Sequence, residues 1–455
     1  MNLPNYFLAD LPPEAVLSPQ MITEACQTLK RNRERYLARR TTDQQVRLLS
    51  GLAEEWLEPG SPFRQLALEQ GPAETGFSRA TLERGLDGFF RQLSRDNLQT
   101  LLLQDLGGTR RLDDLVAGAA EPPSTRAALA MAPELLVHVA AGNLPNPTLM
   151  SMVLGVLTRS AQFVKCATGA GFLPRLFAHS LYEADAKQGA CLEIAEWRGG
   201  NVDLEDALFA GADCVTATGA DDTLAAIRAR LPRHARFVGH GHRVSFGLVT
   251  REALPSGFQA RQVAARAADD VTAWNQLGCL SPHVIYVQEG GVATAEGFAE
   301  LLALELEKRE ANEPRGELPV EAAAAIAARR GFYEVRAAHA PEATRHWCSR
   351  DSTAWTVIYE SDPQFQVSCL NRFVYVKTVP EMKTLLENLE TIRDRVSTVG
   401  LAAAGEQGPD LARLLAQWGV LRICPLGQMQ NPPLTWRHDG QPALGELVTW
   451  RDWER

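Results

Sequence analysis

LLVHVAAGNLPNPTLMSMVLGVLTRSAQFVKC, residues 135–166, is the stretch that decides the fold. Leu135 to Ala140 is an apolar, β-branched run and reads as a buried strand. Gly142-Asn143-Leu144-Pro145-Asn146-Pro147 has turn chemistry, and Pro147 suits the first turn of a helix running from Thr148 to Arg159. Gln162 to Lys165 is the next strand. The unit then repeats. Leu173, Leu176, Phe177, Ser180, Leu181 and Ala184 mark one helix face. A strand from Cys191 to Trp197, a short helix around Asp203 to Phe209, a strand from Cys214 to Thr218 and a helix from Asp221 to Leu231 follow, and Arg236-Phe237-Val238 closes the series. Alternation of this kind requires right-handed crossovers and a parallel sheet. Such sheets take ligands at the carboxyl ends of their strands, so that crevice is a plausible dinucleotide site.

On the N-terminal side, the first 130 or so residues read as mainly helical: Leu48, Leu52, Trp56 and Leu57 recur at helical spacing, as do Phe89, Phe90 and Leu93. On the C-terminal side a second α/β block starts near 250. Val263, Ala267, Val271 and Trp274 share a helix face leading into a loop at Cys279, and Val284 to Val287 is a strand. Helices at about 293–309 and 319–330 precede strands at Ala354 to Tyr359 and Phe373 to Val376. Pro432-Pro433 and Asp439-Gly440 give the last stretch turn chemistry, as in a returning arm. The expected division is a helical region plus nucleotide-binding domain over 1–250, a catalytic domain over 251–425 and an arm over 426–455.

Composition narrows the classes. The chain has 455 residues, enough for two or three domains, with 45% hydrophobic and 22% charged residues, as in an ordinary globular protein. Its 46 basic and 55 acidic side chains give a net charge of −9 with no long basic run, which argues against a nucleic-acid surface. Met1 to Tyr6 lacks a basic n-region and an apolar core, so no signal peptide is expected. Apolar stretches such as Leu149 to Leu157 fall short of the roughly 18 residues a membrane span needs. No two of the eight cysteines lie within 20 positions of each other, so the close pairs of a zinc site are missing and no metal is expected. A cytoplasmic chain with reduced thiols is the simplest reading.

Four places carry possible chemistry. Cys279 lies in Asn275-Gln276-Leu277-Gly278-Cys279-Leu280-Ser281-Pro282-His283, a loop whose Gly278 and Pro282 suit an exposed nucleophilic thiol; a buried packing cysteine is the alternative, and local sequence leaves both open. Asn143 is either a turn former or an amide that donates to a developing oxyanion. His240-Gly241-His242 is favoured as turn or packing over a metal pair, because no third ligand lies nearby in sequence. His283 either raises the thiolate fraction of Cys279 or is a core histidine. Gly169-Ala170-Gly171 lacks the third glycine of a GxGxxG fingerprint.

Several ordered motifs over residues 130–450 resemble the LuxC-type acyl-CoA reductases, a branch of the aldehyde dehydrogenase superfamily. They are Gly142 to Pro147, Trp197-Arg198-Gly199-Gly200, Ala217-Thr218-Gly219-Ala220-Asp221-Asp222-Thr223, Gly239 to Arg243, Asn275 to His283, and Arg422-Ile423-Cys424-Pro425-Leu426-Gly427. The resemblance implies an α/β, aldehyde dehydrogenase-like fold with a nucleotide-binding domain, a catalytic domain and an arm used for oligomerisation, hence a homo-oligomer. It places Cys279 as nucleophile, Asn143 as oxyanion amide, Lys165 on the adenosine ribose, and Thr218-Gly219 against the pyrophosphate. Thr168 stands where many NAD-preferring relatives carry Glu; a carboxylate there would repel a 2′-phosphate, so its absence, with Arg175 nearby in sequence, allows NADPH. Two departures stand out. Phe237 to Arg243 lacks the Glu that activates water for deacylation in aldehyde-oxidising relatives, and Leu370-Asn371-Arg372-Phe373 lacks the Glu that often binds the nicotinamide ribose.

The activity so implied is reduction of an acyl-CoA, of long-chain fatty acyl type, or of another acyl thioester to the aldehyde through an acyl-cysteine. An acyl-transferring enzyme is the partner the resemblance suggests. A thioesterase or acyltransferase using Cys279 and His283 without a redox cofactor is the rival enzyme reading, and an inactive scaffold the non-enzymatic one.

Overall fold

In chain order the described residues form strands β1 (Arg126–Met131), β2 (Leu135–Val139), β3 (Ala161–Cys166), β4 (Leu192–Glu196), β5 (Cys214–Thr218), β6 (Arg236–His240), β7 (Val244–Val249), β8 (Pro282–Gln288), β9 (Thr344–Cys348), β10 (Thr356–Glu360), β11 (Phe373–Val379), β12 (Val396–Ala402), β13 (Arg422–Pro425) and β14 (Thr449–Glu454). This computed structural model describes residues 3–12, 14–118, 125–140, 142–405 and 407–454. The chain forms two compact units. One comprises Met1–Thr75, Leu86–Gly241 and Pro433–Arg455; the other comprises Gly76–Gly85 and His242–Pro432.

The first unit holds a five-stranded sheet in the order β4-β3-β2-β5-β6, parallel throughout. Every side chain of β3 is buried, as expected for strands with helices on both faces. The helix Pro19–Tyr36 supplies Ile22, Cys26 and Leu29 to a core with Leu135, Val137 and Phe163. One polar line crosses the sheet: His138 Nδ1 lies 2.7 Å from Thr216 Oγ1 and its Nε2 3.0 Å from Gln162 Oε1. Burial lowers the His138 pKa to about 4, so the ring is neutral at ordinary pH. Succession runs outward from β2 to β4 on one side and from β5 to β6 on the other. The order therefore reverses between β2 and β5, and that switch point is where open parallel sheets take ligands. A separate antiparallel ribbon joins β1 to β14, the end of the C-terminal stretch.

The second unit holds a seven-stranded sheet in the order β13-β12-β7-β8-β11-β10-β9, parallel except for β9 against β10. The helices Gly257–Thr272 and Ala295–Asn312 cover one face through Val263, Val271, Phe298 and Leu302, and the helices Val320–His339 and Met382–Leu389 cover the other through Ile326, Tyr333 and Leu385.

Sequence boundaries shift in two places. The units divide at Gly241/His242, not at 250, because Val244–Val249 is wholly buried as β7 in the second sheet. The C-terminal division falls at Pro432/Pro433, since β13 and the turn after it pack with that sheet. No helix among the described residues is long and apolar enough to cross a membrane.

Candidate active site

Of the eight cysteines, Cys279 alone is exposed. Burial pushes the thiols of Cys26, Cys166 and Cys191 up to about 12 and those of Cys214 and Cys424 to about 11, so these five hold almost no thiolate at neutral pH. The structure thus resolves the ambiguity of the local sequence in favour of an accessible thiol.

The loop bearing Cys279 is strained and tightly held. After the helix Gly257–Thr272, Trp274, Asn275 and Gln276 all adopt left-handed backbone, with φ of 49°, 52° and 63°. Each non-glycine residue in that region costs on the order of 1 kcal/mol or more, so other contacts must hold it there. A second left-handed run, Leu370, Asn371 and Arg372 (φ 58°, 54° and 65°), supplies them. Arg372 is fully buried and donates from Nε to Asn275 Oδ1 (3.2 Å) and from Nη1 to Glu310 Oε2 (2.9 Å) and the Glu313 carbonyl (2.9 Å). Asn275 Nδ2 donates to the Arg315 carbonyl (2.7 Å). Gln276 Nε2 donates to the carbonyls of Pro282 (2.7 Å) and Phe373 (2.9 Å), tying the two ends of the cysteine loop together and to β11. Ser245 of β7 donates its hydroxyl to the Cys279 carbonyl (2.7 Å) and accepts from the Thr398 N–H (3.1 Å), which fixes the peptide plane at the nucleophile.

His283 is a core histidine. It is 6% exposed, and its Nδ1 accepts from the Ser368 N–H (3.1 Å). Burial, with His242 adding to it, lowers its pKa to about 4. It therefore gives Cys279 no imidazolium, and the cofactor-free thioesterase reading loses the base it needs.

In the first unit the candidate cofactor residues gather at the carboxyl edge of the sheet. Asn143 is exposed in the turn between β2 and the helix Asn146–Leu157, and Thr218-Gly219 ends β5, the strand beside β2 across the switch point. Lys165, near the end of β3, is 4% exposed. Its ammonium makes no hydrogen bond or ion pair among the described residues and sits 5.7 Å from the Trp197 ring centroid; burial lowers its pKa, opposed first by Glu205. A buried ammonium with unused donors at this edge fits a nicotinamide dinucleotide, whose ribose hydroxyls would occupy them.

Thr168 lies exposed in the turn after β3. Two neighbours of that turn were not legible in the sequence. Glu196, ending β4, accepts from the Gly169 N–H (2.6 Å) and so brings a carboxylate to the turn. Arg175 is not available to a phosphate there: it is ion-paired with the buried Asp10, far away in the chain.

His240 also departs from the packing role expected for it. Its Nδ1 lies 3.1 Å from Asp439 Oδ2, and its ring stacks on His438 with centroids 4.0 Å apart and planes 6° from parallel. These three ligand-type groups lie within 4.8 Å of one another, the one such cluster among the described residues. The sequence signal was His438-Asp439 itself, read only as turn chemistry beside Gly440. A separate cavity of about 510 Å³, lined by Glu252, Arg266, Ala402 and Cys424 among others, opens at the carboxyl ends of β7, β12 and β13, the opposite strand ends from the Cys279 loop, and does not include that loop.

Comparison with known proteins agrees with this layout. The family model described as acyl-CoA reductase (LuxC) matches residues 37–450. The long-chain acyl-protein thioester reductase 2 of Photobacterium leiognathi is 23% identical over 70% of this chain and 64% of its own length. The long-chain acyl-protein thioester reductase of Aliivibrio fischeri is 23% identical over 80% of this chain and 71% of its own. This chain thus spans about two thirds of the length of these relatives. Among solved structures, the bifunctional proline utilization A protein superposes with a TM-score of 0.74 at 16% identity, covering 98% of this chain and 46% of that one. The NADP-dependent glyceraldehyde-3-phosphate dehydrogenase of Bacillus halodurans superposes at 0.71 and 14% identity over 97% of this chain and 92% of its own. At these identities the superpositions establish an aldehyde dehydrogenase-like fold. With the family match spanning nearly the whole sequence, the chain belongs to the LuxC family of acyl-CoA reductases.

Proposed function

We propose that this chain reduces an acyl thioester to the aldehyde through an acyl-cysteine on Cys279, with NADPH as the reductant. The single observation carrying the reading is the exposed thiol of Cys279 on a clamped loop, in a chain of this family whose other thiols are covered.

The Cys279 thiolate adds to the thioester carbonyl, the Asn143 amide and the Cys279 N–H stabilise the tetrahedral oxyanion, and the carbon–sulfur bond to the leaving thiol breaks. The reduced nicotinamide, when bound, supplies the hydride that turns the acyl-cysteine into a hemithioacetal. Collapse of that species regenerates the thiolate and releases aldehyde. No carboxylate stands in Phe237 to Arg243, and His283 has its lone pair committed to Ser368, so the acyl-cysteine has no base there to activate water. Lys165 is proposed to hold the adenosine ribose and Thr218-Gly219 the pyrophosphate. For the 2′-phosphate, Arg198 is the exposed cation that follows β4 at the same sheet edge, and Thr168 supplies a hydroxyl; Glu196 opposes them.

The family's description supports an acyl-CoA donor, while its relatives are named for acyl-protein thioesters. The deciding experiment is cofactor oxidation with a panel of acyl-CoA chain lengths, run with NADPH and with NADH. Aldehyde formed with NADPH and absent in Cys279→Ala supports the proposal. Thioester turnover that needs no nicotinamide overturns it.

A further inference from the structure

Thioester reduction consumes a proton as well as a hydride: acyl-S-CoA, NADPH and H⁺ give aldehyde, CoA-SH and NADP⁺. The proton goes to the sulfur that leaves. We propose, on the basis of the reductase reading above, that His240 is the acid that delivers it and that Asp439 is its positioning residue.

Several observations converge on His240. Its Nδ1 lies 3.1 Å from Asp439 Oδ2, and the Asp439 side chain is 8% exposed. A carboxylate accepts but does not donate, so Nδ1 carries hydrogen and the second nitrogen, Nε2, is the one that changes protonation. Nε2 makes no hydrogen bond among the described residues, and the side chain is 20% exposed, enough to meet a substrate. The ring is held from one face by His438, which in turn packs on Trp436 with centroids 4.7 Å apart. The backbone is held too: His240 is the register partner of Thr218 across β5 and β6, and its carbonyl accepts from the Gly219 N–H (3.2 Å). His240 thus belongs to the same carboxyl edge as the cofactor turn. Five residues further along the chain, Ser245 fixes the carbonyl of Cys279.

In the acylation step the Cys279 sulfur forms its bond to the acyl carbon, and the electron pair of the breaking bond passes to the leaving sulfur. That sulfur takes the Nε2 proton of the His240 imidazolium. The neutral ring then regains a proton from solvent before the next turnover.

The test measures acylation of Cys279 in single turnover, without nicotinamide, using two thioesters of one acyl chain. One is the CoA thioester; the other is an aryl thioester whose thiolate is stable enough to leave unprotonated. His240→Gln is expected to slow acylation by the CoA thioester about 100-fold or more, the usual size of a general-acid effect, and by the aryl thioester less than about threefold, since no proton transfer is then required. Asp439→Asn should show the same selectivity to a smaller degree; Asn also tolerates the left-handed backbone at φ 52°, so that variant keeps the fold. An equal loss with both thioesters, or no loss, would overturn the assignment. So would a stoichiometric divalent ion in the purified protein that His240→Gln removes, which would make the cluster a metal site. Absence of any Cys279 acylation in the wild type would instead remove the reductase reading itself.

Discussion

The two parallel sheets place their chemistry at opposite ends of their strands. In the first, Asn143, Lys165, Thr218 and His240 all lie at carboxyl ends, around the switch between β2 and β5. In the second, Cys279 precedes β8 and so lies at the amino end of its sheet. The difference follows from what each edge must do. A carboxyl edge offers glycine turns and helix starts that suit a pyrophosphate without special scaffolding. An amino edge offers no such surface, and here the nucleophile is carried by two left-handed runs locked together by Arg372, Asn275 and Gln276. One edge is ready by topology; the other is held by specific side chains.

That contrast breaks most sharply at the nucleophile. Cys279→Ala should abolish aldehyde formation while leaving NADPH affinity, measured by fluorescence titration, within about twofold, because only the second sheet loses a reacting group. Loss of both together would mean that the two edges do not have separate roles. Asn143→Ala should lower kcat by about two to three orders of magnitude, the effect of removing one oxyanion donor; an unchanged kcat removes the amide from the reaction.

The lock itself is next. Arg372→Met leaves Glu310 without its buried cation and both left-handed runs without their tie. Urea unfolding should show a loss of about 3–5 kcal/mol, typical for breaking a buried pair, and a loss below 1 kcal/mol would show that the strained loop holds itself. On the first sheet, Lys165→Met should weaken NADPH binding about tenfold with kcat at saturation little changed, since uniform binding is lost. A fall in kcat with unchanged affinity would place Lys165 elsewhere.

The smallest effect is pH-dependent. The His283 pKa is lowered to about 4 by burial, against about 6.5 unfolded. A depressed histidine contributes stability above the unfolded value and loses it as pH falls. Relative to His283→Gln, wild type should therefore lose about 1.4 kcal/mol per pH unit between 6.5 and 4, read from urea melts of the pair. A pH-independent difference would show that the ring is not held neutral.

How much of this was legible in the sequence divides along the same line. The strands β2 to β6 announced themselves because buried parallel strands are continuous apolar runs between turn residues, and the order of turns located Asn143, Lys165 and Thr218. β7 was missed: Val244 to Val249 contains Ser245 and Gly247 and directly follows His-Gly-His, so nothing marked it as a fully buried strand, and the unit boundary moved with it. The helix expected over 319–330 runs from Val320 to His339, because its later turns expose Phe332 and Val335 and so lack a clean apolar stripe. Long-range pairings left no local trace. Asp10 captures Arg175, Glu196 reaches Gly169, and His438-Asp439 meets His240 nearly two hundred residues away. Spacing reveals which residues share a face, but not which distant side chain will fill a charge.

The most direct test of the central claim is intact-protein and peptide mass spectrometry after mixing the protein with an acyl-CoA and no nicotinamide. The expected result is one acyl adduct per chain, on the peptide containing Cys279, that disappears with release of aldehyde when NADPH is added. An adduct on another residue, or aldehyde formed with no acyl-enzyme detectable at any time, would contradict the account.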